Sequence, residues 1–404
     1  DATSISTHLL PATQAYHEIW LDQEKIADVK EEIEPIYGAT YLPRKFKIAV
    51  AVPPHNDVDV NGNDLSFVAI VKDGELAGYD VLVGGGMGCS HSTPGTYPQI
   101  AKNLGFITPD QICPIAEAVV TTQRDNGNRT DRKQARLKYT VDRMGVDLFK
   151  AEVEKRSGIT FAPEEPYTFT MHSDRFGWTE NANGTSNLTL FIEHGRITDK
   201  PDGPQMLQGL LQIADLHGGD FRMTATQNLV IAEVETKKKE AIEALAREHG
   251  LLRDVSRLRE NSMACVALPT CTLAMAEAER YLPDLITKLE NLANKHGLAE
   301  QPITIRMTGC PNGCARPYLA EIAFVGKAPG KYNLYLGGDG KGTRLVQLYR
   351  ENIDEDQILA EIDPLFERYA SEREAEEGFG DFLIRTNVVP AVYDGREFKT
   401  GLAQ

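Results

Sequence analysis

Three short apolar runs dominate the first quarter of the chain: KFKIAVAV at 45–52, FVAIV at 67–71 and YDVLV at 79–83. Rich in β-branched residues and bounded by Pro, Asn and Gly, they predict strands. Beyond residue 100 the period changes. AKNLG predicts a short helical piece, and 115–123 and 131–142 set apolar residues three and four apart, the spacing of a helix face. Thr108-Pro109-Asp110-Gln111 has the form of a capping box. Pro114 competes as the helix start, because a proline inside a helix removes a hydrogen bond. DLFKAEVEKRSG adds another helix, stopped by Gly158.

Residues 166–250 read as a separate module. SNLTLFIEHGRI and DFRMTATQNLVIAEV predict strands, MLQGLLQIADLHGG a helix between them and TKKKEAIEALAREHG a helix after. The order strand–helix–strand–strand–helix is half of a ferredoxin-like sandwich. From about 254 come two cysteine loops, the strands ITIRM, IAFVG and YNLYL, and a long helix through EDQILAEIDPLFERYASER.

The two ends of the chain repeat each other. Phe67-Val68-Ala69-Ile70 followed by Tyr79 to Gly85 matches Ile322-Ala323-Phe324-Val325 followed by Tyr332 to Gly338, and another strand precedes each copy. This predicts an α+β protein of two duplicated lobes with mixed sheets and helices, joined by the half-module. The segments are 1–162, 163–253 and 254–404, with pseudo-twofold symmetry and a site between the lobes.

The copies differ where chemistry belongs. One carries Lys45 and Lys47 on its first strand; being two apart, they share a face, which is either a wet sheet surface or an anion site. The other follows its first strand with Cys310-x3-Cys314, and a second pair, Cys265-x5-Cys271, lies just upstream. Only Cys89 and Cys113 remain among 404 residues. Two tight pairs in loops of Pro, Gly and small residues ask for a thiolate-bound metal, with an iron–sulfur cluster ahead of structural zinc and of inert buried cysteines. TLAMAEAERYLPDL reads as helical, which would put Cys271 at a helix N-terminus, where backbone N–H groups favour negative charge. The run Gly84-Gly85-Gly86-Met87-Gly88 lacks the rest of a phosphate loop and reads as a turn or as backbone approaching a flat ligand.

A net charge of -16 argues against nucleic acid and anionic membranes as partners. Cations nevertheless gather in LPRKFK and in QRDNGNRTDRKQAR, either as a solvated face or as an anion site. No apolar run approaches a bilayer span and no secretory signal is visible, so a reduced, cytoplasmic setting is expected. The first residue is Asp, consistent with processing or truncation upstream.

NSMACVALPTC, TGCPNGCARPYLAE, LPRKFK, VGGGMG, TTQRDNGNRTDRK and EGFGDF together resemble the sulfite/nitrite reductase family, along essentially the whole chain. The resemblance implies sirohaem coupled to a 4Fe-4S cluster ligated by Cys265, Cys271, Cys310 and Cys314, with Cys314 shared as the axial ligand of the sirohaem iron. It implies Lys45 and Lys47 as the catalytic, sulfite-binding lysines. Arg44, Arg129, Arg132, Lys133 and Arg136 become candidates for sirohaem carboxylates, and Asn312 for a contact with the macrocycle. The lysines favour six-electron reduction of sulfite to hydrogen sulfide over reduction of nitrite to ammonia. ERENSMACV and EREAEEGFGDF favour the NADPH-linked branch, with electrons from a diflavin reductase rather than a ferredoxin, since the chain has no nicotinamide or flavin motif of its own. A non-catalytic thiolate-metal or electron-transfer fragment is the reading from another class. Family members also carry an N-terminal segment that supplies further arginines and a partner for the half-module; on this resemblance the chain begins inside the first lobe.

Overall fold

The computed structural model describes residues 1–13, 18–22, 24–28 and 33–400. They pack as two compact units. The first comprises 1–53, 60–86 and 101–167, and the second comprises 54–59, 87–100 and 168–404.

The first unit opens with a helix, Ala2–His8, and a hairpin of β1 (Glu18–Leu21) and β2 (Glu24–Asp28). Its main sheet runs in the order β3 (Ile48–Ala51), β4 (Leu65–Lys72), β5 (Glu75–Val83), β6 (Lys102–Ile107). β3 is parallel to β4, and the remaining pairs are antiparallel. Helices Ile112–Asn126, Leu137–Met144 and Val146–Ser157 cover one face, packing Ile115, Val119, Val141 and Phe149 onto Leu65, Phe67, Val81 and Val83. Burial of such side chains contributes ~1.5–3 kcal/mol each relative to exposure. Gly158 ends the last helix in the left-handed region, as the sequence requires. Helix Ile112–Asn126 is entered through a single turn, Pro109–Gln111, where Thr108 N–H donates to Gln111 Oε1 (3.1 Å). Pro114 is tolerated because it falls in the first turn of Ile112–Asn126.

In the second unit the half-module is a four-stranded antiparallel sheet in the order β7 (Gly177–Glu180), β8 (Ser186–Leu190), β10 (Leu229–Val234), β9 (Phe221–Met223). Helices Met206–His217 and Lys239–Glu248 pack on it through Ile213, Ile242 and Ala246. A five-stranded sheet follows in the order β11 (Ser262–Ala264), β12 (Ile305–Thr308), β13 (Ile322–Ala328), β14 (Lys331–Leu336), β15 (Gln347–Ile353). Helices Leu282–Lys295, Glu355–Glu372 and Phe379–Arg385 bury one of its faces.

The duplication is visible in topology. β12 is parallel to β13, which is antiparallel to β14, which is antiparallel to β15, as β3 to β6 are in the first unit. Leu65 pairs with Ile48 and Val83; Ile322 pairs with Ile305 and Leu336. This register equates Phe67 with Phe324, so the sequence match of Phe67 to Ile322 was displaced by two residues. A slip of two keeps every side chain on its own face, so apolar patterning cannot reveal it.

Several elements differ from the expectation. AKNLG is strand: Leu104 and Ile107 are buried, and a Cβ on Gly105 (φ 121°) would stand 2.4 Å from Ala162 O, a backbone approach no helix permits. The strand at KFKIAVAV covers only Ile48–Ala51, so both lysines lie in its extended lead-in. β8 stops at Leu190, before a turn at Glu193–Gly195 in which His194 is left-handed. The segment 221–234 supplies two strands as a hairpin, in keeping with the expected order, and β7 stands ahead of that order. The helical pattern over 131–142 divides into a turn at Arg132–Gln134 and the helix from Leu137.

Candidate metal centre and anion site

Both cysteine pairs belong to the second unit, and backbone bonds join their loops. β11 and β12 are parallel neighbours, so the two chains leave the sheet at the same end. Cys265 N–H donates to Met307 O (3.1 Å), while Met275 and Ala276 N–H both donate to Gly309 O (2.7 and 3.1 Å). Gly309 N–H reaches Cys265 Sγ at 3.3 Å. A Cβ on Gly309 would stand 2.6 Å from both Ala267 Cβ and Ala276 O, so only glycine permits this approach. These same bonds overturn the helix expected after Cys271. Met275 and Ala276 commit their N–H groups to the other loop, Glu279 N–H goes back to Cys265 O (3.0 Å), and the helix begins at Leu282 with Pro283 in its first turn. Cys271 is therefore not at a helix N-terminus; its N–H donates to Ala267 O (2.7 Å).

The four thiols act on one another electrostatically: Cys265 feels Cys314 and Cys310, and Cys310 feels Cys314 and Cys271. Burial pushes the Cys265 thiol up to about 11 and raises Cys310 as well, while N–H groups of Gly309 and Asn312 work in the opposite sense. Such thiols keep their protons until a metal displaces them. Among the described residues no three Cys, His, Asp or Glu side chains are gathered closely enough to hold one metal ion. Four soft sulfurs with N–H donors on two of them and no imidazole suit a cluster of several irons, whose thiolates stand farther apart than those of a single ion.

Cys314 and Asn312 are exposed on the same loop, which turns at Gly313 (φ 65°). Residues 87–89 of the glycine-rich run lie along it. Cys89 N–H donates to Pro311 O (2.9 Å), and a Cβ on Gly313 would stand 3.0 Å from Met87 O. Gly84 (φ 81°) supplies the turn after β5. Positive φ at Gly84 and close backbone approach at Gly85 and Gly88 account for three of these glycines; Gly86 shows neither.

Of the cations in the first unit, Arg44, Lys45, Arg129 and Arg132 line one cavity of about 430 Å³, floored by Leu42 and Pro43. Arg129 is anchored through Tyr41 O (2.5 Å) and Arg124 O (2.7 Å). Lys133 is exposed, its backbone N–H capped by Asp131 Oδ1 (2.9 Å). Arg136 is not among the cavity's lining residues. It forms a bidentate pair with buried Asp64 (Nε to Oδ1 3.0 Å, Nη2 to Oδ2 2.6 Å), and Asp64 Oδ2 accepts the Lys47 N–H (2.9 Å). Phe46, Ile48 and Val50 pack against the core, the alternate positions to Lys45 and Lys47. Lys47 is half-buried and Lys45 exposed.

Sequence reasoning missed Gly309, Asp64 and a buried ion cluster of Asp59, Arg306 and Arg316. Arg316, two residues past Cys314, was the one visible signal; its partner is 257 residues away in sequence.

Residues 1–161 match the model of the nitrite and sulphite reductase 4Fe-4S domain, and 180–249 that of the nitrite/sulfite reductase ferredoxin-like half domain. The chain belongs to the nitrite and sulphite reductase family, oxidoreductases that carry sirohaem and a 4Fe-4S cluster. It is 57% identical over 398 residues to the sulfite reductase (NADPH) hemoprotein beta-component of Erwinia tasmaniensis, covering 98% of this chain and 69% of the relative. To that of Anoxybacillus flavithermus it is 58% identical over 400 residues, covering 98% and 70%. Among solved structures, the Mycobacterium tuberculosis NirA protein superposes with a TM-score of 0.71 at 26% identity, over 85% of this chain and 63% of that one. The chain thus spans about two thirds of the length of the proteins it matches.

Proposed function

We propose that the chain is the catalytic hemoprotein part of an assimilatory sulfite reductase, reducing sulfite by six electrons to hydrogen sulfide and water. The observation that carries this reading is the pair of cysteine loops joined through Gly309, with four thiols in mutual electrostatic reach. When bound, sirohaem coupled to a 4Fe-4S cluster supplies the single-electron steps. Cys265, Cys271, Cys310 and Cys314 would hold the cluster, with Cys314, exposed at the loop tip, shared with the sirohaem iron.

The protein's own groups do the rest. Lys45 and Lys47 bind the sulfite dianion, offset charge that develops as S–O bonds break, and donate protons that leave as water. Asp64 fixes the Lys47 backbone, and Arg136 fixes Asp64. Arg44, Arg129 and Arg132 line a single cavity suited to carboxylates of the macrocycle, with Lys133 on the same turn and Asn312 beside the proximal cysteine. The donor in this reading is a diflavin NADPH reductase, supported by the NADPH in the relatives' names, with ferredoxin as the alternative. Among the described residues no helix is long and apolar enough to cross a membrane.

Lys47→Met tests the reading. Haem and cluster absorption are expected to persist while sulfite turnover falls by at least tenfold. Normal turnover would overturn the role of Lys47. Nitrite turnover exceeding that of sulfite would transfer the assignment to nitrite reduction.

A further inference from the structure

Thr304, the residue before β12, is buried with its hydroxyl between two groups that can each accept its single hydrogen. On one side His172 Nε2 lies 3.1 Å from Thr304 Oγ1, and His172 Nδ1 lies 3.1 Å from Asp59 Oδ1. On the other side the same hydroxyl bonds to the Glu321 carboxyl. Glu321 Oε2 also accepts the Thr304 N–H (2.8 Å), and Oε1 accepts the Gly380 N–H (3.0 Å). Glu321 and Thr304 line a cavity of about 760 Å³ in the second unit, so one end of this file meets a cavity while His172 and Asp59 are buried.

Charge fixes where the hydrogens sit. Burial opposes charge on Asp59, but Arg306, Arg316 and His172 outweigh it and hold the carboxyl well below its usual range. His172 Nδ1 therefore carries a hydrogen and donates it to Asp59. Burial and Arg306 push His172 down, so at neutral pH the ring is uncharged and Nε2 is an acceptor. Thr304 O–H then donates to Nε2, and only its oxygen is left for Glu321. That suits a protonated carboxyl, and burial pushes Glu321 up to about 7. An ionised carboxyl needs the reverse, with the hydroxyl hydrogen turned toward it.

Other charged groups face the file. Asp339 acts on both His172 and Glu321, and it accepts the Thr343 N–H (2.8 Å). Of the acids on the cavity walls, Asp174 accepts from Thr224 (2.6 Å) and Asn228 (2.8 Å), and Glu260 pairs with Arg257 (3.3 Å). Glu377 pairs with Arg385 (2.6 Å) and Asp381 with Arg344 (2.7 Å), while Tyr369 donates to Glu377 O (2.6 Å). Glu300, Glu376, Arg175 and Lys341 are exposed.

We propose that Glu321, Thr304 and His172 form a proton relay, through which one proton is shared between the cavity wall and the buried imidazole. Glu321 gives its hydrogen to Thr304 Oγ1 as Thr304 gives its own to His172 Nε2. One proton crosses, and Thr304 ends with one hydrogen as it began. The two ends then titrate as a pair rather than singly. The relay involves no cysteine, so it is tested on the chain without metal.

The test is nuclear magnetic resonance of the full chain carrying ¹⁵N-labelled histidine, followed from pH 5 to 9, with His172 recognised by its loss in His172→Asn. In the wild type the His172 Nε2 resonance is expected to shift with a midpoint near 7, where Glu321 titrates. Glu321→Gln is expected to abolish that midpoint. Thr304→Ser keeps the hydroxyl and is expected to keep the midpoint, whereas Thr304→Val is expected to lose it. No midpoint in the wild type, or its survival in Glu321→Gln or in Thr304→Val, overturns the proposal. Should Glu321→Gln fail to fold, the two Thr304 variants decide: equal titration of His172 in both overturns the relay.

Discussion

Asp64 and Glu321 hold the same post in the two repeats and have opposite surroundings. Each immediately precedes the second strand of its sheet, β4 or β13. Each accepts the N–H of the residue before the first strand: Lys47 to Asp64 (2.9 Å) and Thr304 to Glu321 (2.8 Å). Asp64 has Arg136 as counter-charge. Glu321 has a second N–H, from Gly380 (3.0 Å), and burial pushes its carboxyl up to about 7. A carboxylate that tethers the lead-in residue is thus a device of the repeat. What was added in the first copy is a cation behind the carboxylate and a lysine on the tether.

The comparison can be broken most severely at the glycines that both copies share. A Cβ on Gly85 would stand 2.3 Å from Asn61 O, and one on Gly338 2.2 Å from Ala320 O. Gly85→Ala and Gly338→Ala are each expected to cost more than about 3 kcal/mol in urea unfolding, as forced overpacking against backbone does. Markedly unequal losses would show that the copies no longer share this turn. Next in size, Arg136→Met strands the buried Asp64 carboxylate at a cost of ~3–5 kcal/mol, read by the same method. A loss below 1 kcal/mol would mean that Asp64 does not depend on its cation.

Glu321 should report the opposite environment through pH. Its folded value of about 7 lies above the ordinary 4.5, so between these limits the folded state holds a proton that the unfolded chain has released. Stability is therefore expected to fall as pH rises from 4.5 to 7, by up to about 3 kcal/mol, and then to level off. Glu321→Gln should flatten that slope in thermal unfolding; an unchanged slope assigns it elsewhere. The smallest effect is expected at Asp80, whose counterpart is Asn333. Burial raises the Asp80 carboxyl, and Glu164 and Glu165 add to that. Asp80→Asn is expected to stabilise the chain at pH 7 by about 0.5 kcal/mol, and a loss above 1 kcal/mol would sink that expectation.

The sequence showed elements whose logic is local. Strands β4 and β5 and the helix ended by Gly158 were legible because alternation and capping act within about ten residues. What failed was what distant chain segments decide. The stretch after Cys271 has helical composition, yet Gly309 O, over thirty residues on, takes two of its N–H groups. AKNLG gave too few positions to distinguish periods, and Gly105 is needed only because Ala162 passes close by. Arg136 was grouped with the other cations because spacing cannot show a partner 72 residues away.

Gly309 bears on how the two cysteine loops keep their shape. Its carbonyl takes two N–H groups from the opposite loop and its own N–H rests on sulfur, so the cradle's shape is set by main chain rather than by the metal it would hold. The shape of the cradle thus depends on a residue with no side chain, since a Cβ there would stand 2.6 Å from Ala267 Cβ.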